Sequence, residues 1–121
     1  MQSYTTTLKE IKNNPNTTEL EKYVIDNIID DTTDNDEVKT WFVDLSNNGC
    51  QSGQIPSLIY YNDTHAFFDK YYNDIMDIID ELEQSIGEPI KRNGKDLKNL
   101  YAWIAFEETA RNLAQQLNIE L

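Results

Sequence analysis

The chain has 121 residues, 22 acidic against 10 basic side chains for a net charge of −12, and one cysteine. That length suits one domain with a core that needs no staples, and a lone cysteine excludes an internal disulfide and fits a reducing, cytoplasmic compartment. The charge would be repelled by nucleic-acid phosphates, and no stretch approaches the roughly 20 apolar residues of a membrane span, so direct nucleic-acid binding and membrane insertion drop out first.

Leu8 and Ile11 lie three apart in a polar stretch ending at Asn14-Pro15 and predict a short, weak helix. Thr18-Glu19-Leu20-Glu21 matches a capping box, in which hydroxyl and carboxylate each satisfy a backbone N–H. Leu20, Tyr23, Val24 and Ile28 follow at helical spacing, widened by Ile25 and Ile29, and this second helix is expected to end near Asp31-Thr32-Thr33. Val38, Trp41, Phe42 and Leu45 predict a third over Asp36–Ser46, stopped by Asn47-Asn48-Gly49.

Cys50 to Ser57 reads as a loop, and Leu58-Ile59-Tyr60-Tyr61 as either a short strand or the approach to the next helix. Phe67, Tyr71, Ile75, Ile78, Ile79, Leu82 and Ile86 share one face and predict a single long helix from Asp63 to Ile86. Gly87 and Pro89 stop it. Asn93-Gly94 is a hairpin signal between short polar flanks and is read as a turn. Asp96 caps a last helix, with Leu97, Leu100, Tyr101 and Ile104 on one face and Trp103, Phe106, Ala110, Leu113 and Leu117 on another. A helix apolar over so much of its circumference belongs at the centre of a bundle. The expected fold is therefore an all-α bundle of about five helices in one acidic domain over residues 1–121. The alternative is α+β, with a minor hairpin at Ile90–Lys95.

The acidic excess is uneven. Residues 16–83 hold sixteen acids and three bases, a local charge of −13, whereas residues 84–121 hold five of each. Asp26, Asp30, Asp31, Asp34, Asp36 and Glu37 crowd the end of one helix and the start of the next. Asp74, Asp77 and Glu81 stand at helical spacing opposite an apolar face, with Asp80 on the flank. Acids three or four apart on a helix are close neighbours and form a dense field of fixed negative charge. Such a field resembles a phosphate array and suits the basic groove of a nucleic-acid-binding protein. The blander account is a solvated face that keeps the chain soluble.

Other constellations are weaker. A calcium loop begun at Asp30 or Asp31 puts Asn35 or Asp36 where glycine is needed, and Trp41 or Phe42 where the bidentate Glu belongs. One His and one Cys cannot build a zinc site without two carboxylates, so no metal and no cofactor are expected. Cys50 and His65 are the one pair with nucleophile chemistry, and no strand-to-helix elbow surrounds the cysteine. Glu107 is expected to pair with Arg111, leaving Glu108 either at the rim of the core or partly buried in it. Tyr60, Tyr61, Phe67, Phe68, Tyr71 and Tyr72 come in adjacent pairs, of which one member each is expected to face the core. Tyr61 and Tyr72 are then surface aromatics of the kind that centre protein interfaces.

Three blocks carry a resemblance: Gly49-Cys50-Gln51-Ser52-Gly53; Leu58 to Phe68 with Tyr71-Tyr72; and Ala102-Trp103-Ile104-Ala105-Phe106-Glu107-Glu108-Thr109-Ala110. Over residues 47–117 the chain resembles a family of small domains of unknown function encoded by bacteriophages, plasmids and other bacterial mobile elements. The resemblance brings no catalytic residues. It implies a non-enzymatic protein acting in a bacterial host cell, of the anti-CRISPR or antirestriction type. The expected partner is a host nucleic-acid-binding protein such as a Cas effector or restriction enzyme, met through the acidic face. An adaptor or assembly module binding through its aromatics is the alternative, and a small Cys/His hydrolase ranks third.

Overall fold

Polar caps set the helix boundaries. The computed structural model describes residues 3–48, 61–88 and 97–120, with backbone alone at 48, 61–64, 97 and 99. Ser3 opens α1 (Tyr4–Lys12) by accepting from the Thr6 N–H. Thr18 opens α2 (Glu19–Asp31) with the expected capping box: its hydroxyl accepts from Glu21 N–H, and the Glu21 carboxylate accepts from Thr18 N–H. Asp34 accepts from Glu37 N–H at 2.9 Å at the start of α3 (Asn35–Asn48), and Glu37 reaches back to the N–H and hydroxyl of Thr33. α4 (Tyr61–Lys70), α5 (Tyr72–Ile86) and α6 (Leu97–Gln116) complete six helices, with no strand among the described residues. The fold is all-α. Tyr61 begins a helix, and Leu58–Tyr60 and Ile90–Lys95 lie outside the described residues.

The single helix expected over 63–86 is two. Tyr71, at φ −108° and ψ 26°, leaves helical geometry and turns the chain between α4 and α5. No Pro or Gly sits there; the cause is packing. Both α4 and α5 lie against α6, and the change of direction keeps each in contact with it. α4 also meets α2, so Phe67 packs on Tyr23 with ring centroids 5.2 Å apart, while Phe68 stacks on Tyr101 of α6 at 6.5 Å. Both phenylalanines are buried, contrary to the one-per-pair expectation, because their helix has a neighbour on each side.

α6 is the central helix, packed against α2, α3, α4 and α5. Ala102, Ala105, Ala110 and Ala114 are buried along it and let neighbours approach closely, around a fully buried Phe106. All six helices feed one core cluster. Past Gln116, Asn118 turns left-handed at φ 59°; Ile119 N–H bonds the Ala114 carbonyl at 2.8 Å, and Asn118 N–H that of Gln115. This Schellman motif folds Ile119 back into the core. Ile86 and Leu100, expected on apolar faces, are instead 62% and 45% exposed. Ile86 stands in the last turn of α5, immediately before the Gly87 cap.

Candidate functional site

The acids named from the sequence divide by what they touch. At the α2–α3 corner, Asp34 and Glu37 are committed to the cap of α3. Asp26 is half-exposed and paired with Lys12, tying α2 to α1. Asp30, Asp31 and Asp36 are exposed and bond to no described residue. Asp30 and Asp31 occupy the last turn of α2, where no basic side chain accompanies them. The negative end of the helix dipole lies there, so carboxylates in that turn are unfavourable to the fold. Asp36, in the first turn of α3, sits at the favourable end.

On α5, Asp74 is half-buried and its Oδ2 accepts the Leu20 N–H at 3.1 Å, a cap delivered from one helix to another. Asp77 and Glu81 are exposed and bond to no described residue. Asp31 lies roughly 16 Å along α2 from Leu20 at a helical rise of 1.5 Å per residue. The corner and the α5 acids are therefore two patches, at opposite ends of α2, rather than one sheet of charge.

The α5 patch borders a groove of about 590 Å³ between the start of α2, α5 and α6. Its walls carry Glu21, Asp74, Asp77 and Glu81, and α6 contributes Thr109, Asn112, Gln115 and Gln116. Sequence reasoning missed the α6 side of this groove. Its signal was present: Thr109, Asn112 and Gln116 stand at i, i+3 and i+7, a polar stripe on an otherwise apolar helix.

Tyr72 is 51% exposed, its ring edge-on to Phe68 at 5.6 Å, as a surface aromatic should be. The side chain of Tyr61 and the whole of Cys50 lie outside the described residues. His65 is half-buried at the fifth position of α4. Arg111 pairs loosely with Glu108, at 4.0 Å, and not with Glu107 as expected. Glu107 and Arg111 both border a small recess against Phe42, Leu45 and Ser46 of α3. Among the described residues no three His, Cys, Asp or Glu side chains are grouped to hold a metal ion, and no helix is long and apolar enough to cross a membrane.

A family model described as a domain of unknown function (DUF7222) matches residues 7–119. The match runs from α1 through the buried turn after α6, so it takes in the acidic α2–α3 corner as well as α4–α6. No curated protein and no solved structure matches the chain.

Proposed function

The chain belongs to the DUF7222 family of domains of unknown function, and from that premise we propose that it is a non-enzymatic protein that binds a basic surface through its unpaired carboxylates. One observation carries the reading: Asp30 and Asp31 sit unpaired in the last turn of α2, where the helix dipole opposes them. Charge kept where it weakens the fold points to a use outside the fold. Asp36 extends this patch, and Asp77 and Glu81 form the second one. A field of that density steers a basic partner to fast, salt-sensitive association.

In its narrower form the partner is a nucleic-acid-processing effector of a bacterial host, a Cas effector or restriction enzyme, blocked by occupation of its basic groove. The mobile-element resemblance supports that form. Its most specific block, Ala102–Ala110, is largely core of α6, with Ala102, Ala105, Phe106, Thr109 and Ala110 buried. That block speaks to fold, so the partner rests on the charge. The test passes bacterial lysate over immobilised protein, elutes with salt and identifies the eluate by mass spectrometry. Recovery of a basic nucleic-acid-processing protein, lost when Asp30, Asp31, Asp36, Asp77 become Asn and Glu81 becomes Gln, is the expected result. The same eluate from both proteins would sink the reading.

The exposed Tyr72 favours a second reading, an adaptor that docks through aromatics. There Tyr72→Ala removes the partner and the acidic substitutions leave it in place.

A further inference from the structure

We infer that Tyr71 is a hinge at which α4 and α5 join into one continuous helix, lifting α4 off α2 and α6 as a strap. The inference is independent of the docking reading above, because it rests on the backbone around residue 71 and on what holds each side of it.

The segment is built for both shapes. From Asp63 to Ile86 the apolar residues follow one helical stripe, which runs through Tyr71 without Pro or Gly. Tyr71 is the single residue between the two helices, and it is bonded as in a helix on both sides. Its N–H donates to the Phe67 carbonyl at 3.1 Å, and its own carbonyl accepts the Ile75 N–H at 2.9 Å. What departs is its φ of −108° and ψ of 26°, against about −63° and −42° in a helix. A helix start made for a fixed break carries a side-chain cap. Ser3, Thr18 and Asp34 supply one to α1, α2 and α3, whereas the Tyr71 side chain makes no capping bond at the start of α5. Turning one residue to helical angles therefore makes the helix continuous and gives up no cap there.

The contacts on either side decide which half moves. Ahead of the hinge, Lys98 of α6 pairs with Asp69 at 3.0 Å, and its ammonium stands 5.8 Å from the Phe68 ring centroid. Both ions of that pair are exposed, so it holds α4 weakly and salt screens it. Behind the hinge, Asp74 is bonded to Leu20 N–H, and Ile75 and Ile79 are fully buried. The pinned half is α5, and α4 is the half that swings. Burial of Phe67 and Phe68 favours the broken form and makes the straight one the minor state. Straightening uncovers those two rings together with Tyr23 and Tyr101, on which they pack.

The test is a pulsed spin-label distance measurement on the full chain, with Cys50→Ser and labels at Ala66→Cys and Glu81→Cys, both exposed positions. In one straight helix a rise of 1.5 Å per residue puts these two backbones about 22 Å apart, and any bend brings them closer. A main shorter distance and a minor one near that length are expected. Lys98→Met or high salt raises the minor share about two- to fivefold, as release of an exposed ion pair should. Tyr71→Ala and Tyr71→Gly remove the same ring but differ in helix propensity. The straight share should be about fivefold larger in the alanine variant. Local unravelling of α4 gives the opposite order, because glycine loosens the chain more. That opposite order, or a single distance unmoved by Lys98→Met and Tyr71→Ala, would overturn the hinge.

Discussion

The carboxylate of Asp74 on α5 accepts the backbone N–H of Leu20 in the first turn of α2, at 3.1 Å and 54 residues away along the chain. The first N–H groups of a helix have no partner within it. Thr18 serves Glu21 N–H from within the same helix start, and Asp74 serves Leu20 N–H from another helix. The negative charge also lies at the positive end of the α2 dipole. An acid that composition assigns to a surface field is thereby a joint of the fold, and the charge of −12 divides into structural and available parts.

Removing that joint should be measurable. Asp74→Ala is expected to cost about 1–2 kcal/mol in urea denaturation, the usual loss for a helix cap. Asp74→Asn keeps an acceptor and should cost less. Asp77→Asn, one turn away and unpaired, should stay within about 0.5 kcal/mol of the wild type. Equal effects at 74 and 77 would contradict the capping role.

The centre of the fold predicts a second contrast. Phe106 is fully buried in α6, and Phe106→Ala should cost about 3–5 kcal/mol. Leu100, in the same helix but 45% exposed, should tolerate alanine within about 0.5 kcal/mol. The sequence pattern alone ranks both as core, so thermal denaturation of the two variants separates pattern from position.

Gly87 closes α5 at φ +80° with nothing within 4 Å of where a Cβ would stand. Gly87→Ala meets no clash, so its cost is backbone strain alone, about 1 kcal/mol. Gly87→Asn, which tolerates the left-handed region better, should cost less. A stability unchanged by alanine would mean that the chain leaves α5 by another path.

Much of this was legible because helix starts and stops are local. Thr18 and Glu21, Gly87, and the stripes of α2 and α3 lie within one or two turns of what they control. The centrality of α6 was legible for a related reason, since its apolar circumference is a property of one segment. The break at Tyr71 was not, because no residue there disfavours helix; it follows from where α6 lies relative to both halves. Asp74 could not be told from Asp77 by spacing, since what distinguishes them is a backbone N–H on a distant helix. Phe67 and Phe68 could both be buried only because α2 and α6 flank α4. The groove was half legible: its α5 acids stood out, whereas Thr109 and Asn112 were hidden among the apolar residues of α6.

The corner acids also carry a stability prediction. Asp30 and Asp31 stand at the negative end of the α2 dipole without a cation, so Asp30→Asn with Asp31→Asn should raise stability by several tenths of a kcal/mol. The gain should shrink in high salt, because exposed charges are screened. A loss of stability would show that these acids hold the fold together rather than serve something outside it.

The most direct measurement compares two triple variants of equal charge on the same lysate column. One changes Asp30, Asp31 and Asp36 to Asn; the other changes the exposed Glu10, Glu88 and Glu120 to Gln. If the unpaired corner binds a basic partner, the first variant loses salt-eluted nucleic-acid-processing proteins and the second retains them. Equal retention or equal loss would show that total charge, and not this patch, governs what the protein holds.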